Sequence, residues 1–217
     1  ALGRCVFSRM MYGASRTIFS SLILVSLMFV FGSFIGIISG YIGGLFDNIV
    51  MRIVDVFLAF PSLVLAIAVA GVLGGGMINA MIAIGVIGWT KYARLARGEV
   101  LEIKEETFIK AARLSGNSSM YIVFKHIMPR VLSTLIVTAS LDIGTTIMEM
   151  AALSFLGLSS PLPIPEWGAM MNEGKSMIQF APWITIAPGI AIFIIVILFN
   201  LLGDVVHDML DPKQKEY

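Results

Sequence analysis

Hydrophobic and polar positions alternate along this chain on the scale of whole segments rather than single residues. From Thr17 to Ile42 no charged residue occurs. Comparable apolar stretches cover Ile53 to Leu73, with Asp55 near the start and Pro61 inside, and Met77 to Ala93, interrupted by Lys91. Two more follow: Val131 to Leu158, which holds Asp142 and Glu149, and Ile184 to Leu202. A helix crosses a bilayer in about 20 residues, whereas a barrel strand needs about 10 and alternates inward and outward positions. The stretches have the helical length and no such alternation. They predict an all-α membrane protein with spans at 17–42, 53–73, 77–93, 131–158 and 184–202.

Composition strengthens this reading. The 217 residues are 58% hydrophobic and 13% charged, with a mean hydropathy of +0.92; soluble domains hold about 45–50% apolar and about 25% charged residues. Lipid is the solvent this chain fits, and lipid demands helices or closed barrels because it satisfies no backbone polar group. A formal net charge of +1 offers nucleic acid no partner surface.

Basic residues set the orientation. Lys91, Arg94, Arg97, Lys104, Lys110, Arg113, Lys125 and Arg130 crowd the section between the third and fourth stretches, while the loop from Ser159 to Ala181 holds Lys175 alone. The positive-inside rule puts the basic section in the cytoplasm. Five crossings then place the tail "DPKQKEY" in the cytoplasm and residues 1–16 outside, although Arg4, Arg9 and Arg16 run against the rule there. The chain opens with neither a methionine nor a signal-like stretch, so a preceding segment, one further span, is expected ahead of it.

The basic section contains a helical hairpin at 103–129. Ser115, Gly116, Asn117, Ser118 and Ser119 break helices, with Gly116 suited to a positive-φ turn and Ser118 or Asn117 to a cap. They separate a helix of about Ile103 to Leu114, presenting Phe108, Ala111 and Ala112, from one of Met120 to Met128, presenting Tyr121, Phe124 and Met128. Pro129 is expected to open the next span. Small alanines allow another surface to approach closely, and a hairpin wedged between two spans can push on both.

Other residues carry competing readings. Asp142 and Glu149 lie seven apart, about two helical turns, and share a face; acids in a span are costly, so they either line a water path or bond within the protein. Asp55 is expected to pair with Arg52 one turn away. Gly32, Gly36 and Gly40 form a ladder suited to close helix packing. The two histidines, His126 and His207, sit in separate segments and offer no converging metal site, and the 14 methionines suit adaptable core packing. The sequence contains no phosphate-cradling glycine loop, HExxH or nucleophile elbow, so no catalysis is expected of this chain.

The spacing of Ala111, Ala112, Gly116, Ile127 and Pro129 resembles the "EAA" loop of binding-protein-dependent ABC importer permeases, departing from it at Lys110, His126 and Met128. "LGRCVFSRMMYGA", "YIGGLFDNIVMRIVDVFLAFP", "LSFLGLSSPLPIPEWGAMM" and "FNLLGDVVHDMLDP" are similar to the dipeptide, oligopeptide and nickel branch of that family. The resemblance implies a type I importer permease core of five spans, preceded in most members by a sixth, which makes residues 1–16 an external amphipathic lead-in. It implies a second homologous permease, two ATPase subunits that receive the hairpin in a groove, and an extracytoplasmic solute-binding protein. ATP and magnesium would sit on the ATPase subunits, leaving this chain without a cofactor. Asp142 and Glu149 would then line the path or bond within the protein or to the second permease. Pro163 and Trp167, in a loop stiffened by Pro161 and Pro165, would contact the binding protein or gate the outer mouth, or form a rigid cap. Peptide members tend to carry glutamate where this chain has Met150, with Glu149 one place earlier. That shift, with "RLSG" and "SLDIG", points to nickel or a nickel chelate as solute, with short peptides as the alternative. An autonomous channel or carrier, and a membrane anchor, are the competing function classes.

Overall fold

A computed structural model describes residues 5–159 and 164–210. The described residues form nine α-helices: α1 (Val6–Ile42), α2 (Gly44–Leu58), α3 (Ser62–Leu73), α4 (Met77–Lys104), α5 (Thr107–Leu114), α6 (Ser119–Ile122), α7 (Met128–Phe155), α8 (Trp167–Gly174) and α9 (Trp183–Leu210). A π-helical turn, Val123–Ile127, joins α6 to α7.

The bundle is organised around α1 and α4, whose contact is the most extensive in the fold. A Cβ added at Gly32 would lie 2.3 Å from the Trp89 carbonyl oxygen, one at Gly36 2.3 Å from that of Ala93, and one at Gly40 3.0 Å from that of Arg97. Two rows with a four-residue period therefore meet at backbone distance, and at Gly32 and Gly36 only glycine fits. Lipid supplies no hydrophobic drive between helices, so this close approach, with its dense dispersion contacts, is what holds the pair. The expected role of the glycine ladder is the observed one. On the other side α1 turns Phe19, Ile23, Leu27, Val30 and Phe34 outward, a stripe suited to acyl chains.

Three features depart from the sequence expectations. The stretch 53–73 is not one rod: α2 and α3 meet at 89°, because Pro61 cannot continue a helix and disfavours helical geometry at Phe60. The second arm of the hairpin and the fourth span are not separate either. Ser119 to Phe155 forms one apolar rod of 37 residues, and Pro129 is absorbed in the first turn of α7, directly after a π-helical turn. The π turn just before it pairs N–H groups five residues back, which relieves the ring of the contact with the Lys125 carbonyl that α register imposes. Finally, three described helices are long and apolar enough to cross, or four if the bent α2–α3 pair counts as one span, rather than the expected five. The shortfall is α4, whose last half carries Lys91, Arg94, Arg97, Glu99, Glu102 and Lys104.

The other ends are well made. α1 begins at Val6, so the lead-in is continuous with the first span. α7 closes with Gly157 at φ 82°, the Leu158 N–H reaching the Leu153 carbonyl and the Gly157 N–H that of Ser154, the pairing of a Schellman stop. The tail "DPKQKEY" lies outside the described residues.

Candidate functional site

Pro61 also opens a polar cavity within the bundle. By turning α3 away from α2 it sets Ser62 against α7 and opens a space of about 350 Å³ between Leu58, Ala66, Ile84 and Ile87 on one side and Asp142 and Glu149 on the other. The two acids do share a face. Lys91 Nζ donates to Asp142 Oδ1 at 2.6 Å, and Ser62 Oγ donates to Glu149 Oε1 at 3.1 Å. Thr90, Thr145 and Thr146 add hydroxyls to the same wall.

Lys91 is the first of three cations spaced by three on α4. Arg94 pairs with Asp55, and Arg97 holds Asp47 at 2.7 Å, whose other oxygen accepts from Ser39 Oγ at 2.6 Å. The expected Asp55–Arg52 pair is therefore corrected: Asp55 faces α4, because its side of α2 is the side that packs there. Asp47 was missed by sequence reasoning, although the three-residue spacing of Lys91, Arg94 and Arg97 was a visible signal that one face of α4 sought acids. The pairs differ in weight. Asp47 is 8% exposed, so losing Arg97 would strand a buried charge, at about 3–5 kcal/mol. The Asp55 and Arg94 side chains are 56% and 49% exposed, and such pairs contribute about 0–1 kcal/mol.

The hairpin is rigid beneath and apolar above. α5 ends in Gly116 at φ 82°, with the Asn117 N–H on the Ala112 carbonyl and the Gly116 N–H on that of Arg113; Ser118 then caps α6 by accepting from the Tyr121 N–H. Arg130 bonds Glu106 at 2.7 Å and lies over the Phe108 ring at 4.8 Å. His126 meets Phe108 and Tyr121 edge-on. Exposed Glu105 is held below the usual carboxylate range by its hydrogen bond to Lys110 and by that residue's charge. The residues singled out from sequence divide: Ala111, Gly116 and Pro129 are exposed, Ala112 is half-buried and Ile127 is fully buried with Ile109 and Ile122. Leu114, Met120 and Phe124, by contrast, are exposed.

At the opposite end α8 is clamped down. Glu166 accepts from the Gly168 and Ala169 N–H groups at 2.9 and 3.1 Å and from Thr17 Oγ1 at 3.4 Å. Trp167 is buried and donates from Nε1 to the Met10 carbonyl at 2.9 Å. Arg9 grips both oxygens of Glu173 at 2.7 Å. Pro163 lies outside the described residues, and among them no three His, Cys, Asp or Glu side chains converge on a metal position.

Residues 32–216 match the family model described as "Binding-protein-dependent transport system inner membrane component". The chain is 43% identical over 213 residues to the dipeptide transport system permease protein DppC of Alkalihalophilus pseudofirmus, covering 98% of this chain and 70% of that protein. It is 43% identical over 215 residues to the glutathione transport system permease protein GsiD of Pectobacterium atrosepticum, covering 99% and 71%. Among solved structures, an inward-facing MetNI methionine ABC transporter superposes with a TM-score of 0.70 at 21% identity, over 93% of this chain and 98% of that one. An amino acid ABC transporter with histidines gives 0.63 at 13%, over 94% of each. At these identities the structures support the fold, an ABC importer permease architecture, while the sequence matches reach further. The chain belongs to the inner-membrane permease components of bacterial binding-protein-dependent ABC importers, a family of transport proteins rather than enzymes.

Proposed function

We propose that this chain is one of two homologous permease subunits of an ATP-driven importer for short peptides or peptide-like solutes. In this reading two ATPase subunits drive it and an extracytoplasmic binding protein loads it. The observation that carries the reading is mechanical continuity between the hairpin and the charged cavity. α4 runs unbroken from Lys91 to the hairpin, and α7 from the hairpin to Asp142. From Ile127 to Asp142 that rod measures about 22 Å at 1.5 Å per residue. Force applied at α5 and α6 would thus reach both members of the Lys91–Asp142 pair. The exposed Leu114, Met120 and Phe124 supply the apolar side of a docking surface, and exposed Ala111 and Gly116 let a partner come close. Ala112, Ile127 and Pro129 then serve the hairpin's own shape. An autonomous channel or carrier gains nothing from such an arrangement.

Peptide is favoured over nickel by the names of the relatives, which transport dipeptides and glutathione. The cavity agrees, since a dry metal ion asks for several converging ligands. The test uses the assembled transporter with Cys5 replaced and a cysteine at position 114. Oxidation should cross-link it to an ATPase subunit carrying a cysteine in its groove, and uptake of labelled Ala-Ala should exceed that of labelled nickel. A free position 114 in every nucleotide state sinks the docking assignment, and nickel uptake without dipeptide uptake sinks the solute assignment.

A further inference from the structure

Resting on the peptide reading, we propose that Glu149, held by Ser62, is a transit site for the primary ammonium group of the solute. The charges of the cavity are Lys91, Asp142 and Glu149. Lys91 is committed to Asp142 at 2.6 Å, so these two cancel. Glu149 is left with a hydroxyl donor at 3.1 Å and, among the described residues, no cation in contact. A carboxylate in this position, facing Ile84, Ile87 and Ala66 across the cavity, lacks the partner that charges inside a membrane protein ordinarily have. A cation entering the cavity would supply it.

Geometry and volume narrow the class of cation. No third acid, histidine or cysteine joins Glu149 and Asp142 to ligate a metal among the described residues. An ammonium needs only acceptors, and it donates three hydrogen bonds. The Glu149 carboxylate supplies one acceptor group. The Ser62 and Thr145 oxygens, whose protons are spent on Glu149 and on the Asp142 carbonyl, keep lone pairs for the others. At about 350 Å³ the cavity lies at the small end of ligand pockets, roughly 300–1,000 Å³. It fits one end of a short peptide, with Leu58 and Ile84 against the first side chain.

The experiment uses the complete transporter in proteoliposomes with saturating loaded binding protein. Glu149→Gln should cut Ala-Ala uptake about tenfold or more, the scale of one lost charge-assisted hydrogen bond, and Glu149→Asp should retain it within about threefold. In the unmodified transporter, Ala-Ala should slow carbodiimide labelling of Glu149, read by mass spectrometry, while N-acetyl-Ala-Ala, which lacks the ammonium, should not. That second measurement needs no variant to fold. Equal protection by both peptides, or by neither, overturns the proposal, as does wild-type uptake by Glu149→Gln. If the unmodified transporter carries no Ala-Ala at all, the peptide reading itself falls and the transit site with it.

Discussion

Two helices of eight residues, α5 and α8, sit at opposite ends of the bundle and are finished differently. α8 buries Trp167, Ala169 and Met170, and its first N–H groups are capped by Glu166. Its Glu173 is locked to Arg9, and Gly168 lies so close to α7 that an added Cβ would stand 2.5 Å from the Ala151 carbonyl. α5 buries Ile109 alone and ends on Leu114, which is 90% exposed. α5 starts after Glu106 without a side-chain cap and leaves most of its surface uncovered, whereas α8 has used up its surface. A face whose polar groups are paired and whose apolar groups are covered is structure; a face with satisfied backbone and uncovered apolar side chains is waiting for a partner.

That contrast can be broken by mutation. The largest effect is expected at the clamp: Trp167→Ala removes a buried ring and its hydrogen bond to Met10, and should cost about 3–5 kcal/mol, seen as a lower unfolding temperature in detergent. At the helix contact, Gly36→Leu forces a side chain into the Ala93 carbonyl; overpacking of this kind costs about 1–3 kcal/mol or more, and membrane yield should fall with it. Arg97→Ala and Arg94→Ala form an internal control on α4. The first should destabilise by several kcal/mol and the second by about 1 kcal/mol or less, and equal melting shifts for the two would refute the burial argument. Smallest in stability is Ala111→Arg, an exposed hairpin change expected to shift unfolding by about 0.5 kcal/mol or less while abolishing ATP-driven uptake. Were it to unfold the protein as Trp167→Ala does, α5 would be a second structural clamp and the difference between the ends would vanish.

Much of this was legible in the sequence. The uncharged run from Thr17 to Ile42, the Gly32–Gly36–Gly40 ladder and the Ser115–Ser119 break each announce a local structure, because helix length, close packing and capping depend on near neighbours. Asp142 and Glu149 announced a shared face for the same reason. The partners did not announce themselves. Lys91 and Asp142 are 51 residues apart and Arg97 and Asp47 are 50 apart, and such pairs are set by how helices cross. Asp55 looked settled with Arg52 until the crossing of α2 and α4 supplied Arg94. Pro61 was visible, but whether a proline bends a span or sits harmlessly in it depends on what its neighbours pack against: Pro129 kept its rod intact, while Pro61 turned the chain through 89° and thereby made the cavity. Trp167 stood open between an external contact or gate and a rigid cap because nothing in its neighbourhood reveals the Met10 carbonyl, 157 positions away.

The meshing of α1 and α4 has a further consequence. Each glycine of α1 seats against a carbonyl of α4 one tooth at a time, and a partial slide would drive a glycine notch onto the bulk of Tyr92, Ala96 or Val100. The two helices behave as a rack and its mate, meshing again only after a step of one four-residue tooth, about 6 Å. The meshed backbones therefore make the pair move as one strut, with the three ion pairs of α4 tying that strut to α2 and α7. Any smaller displacement that opens and closes a passage has to be taken up at the joints beside it, the corner at Pro61 and the seam with α7.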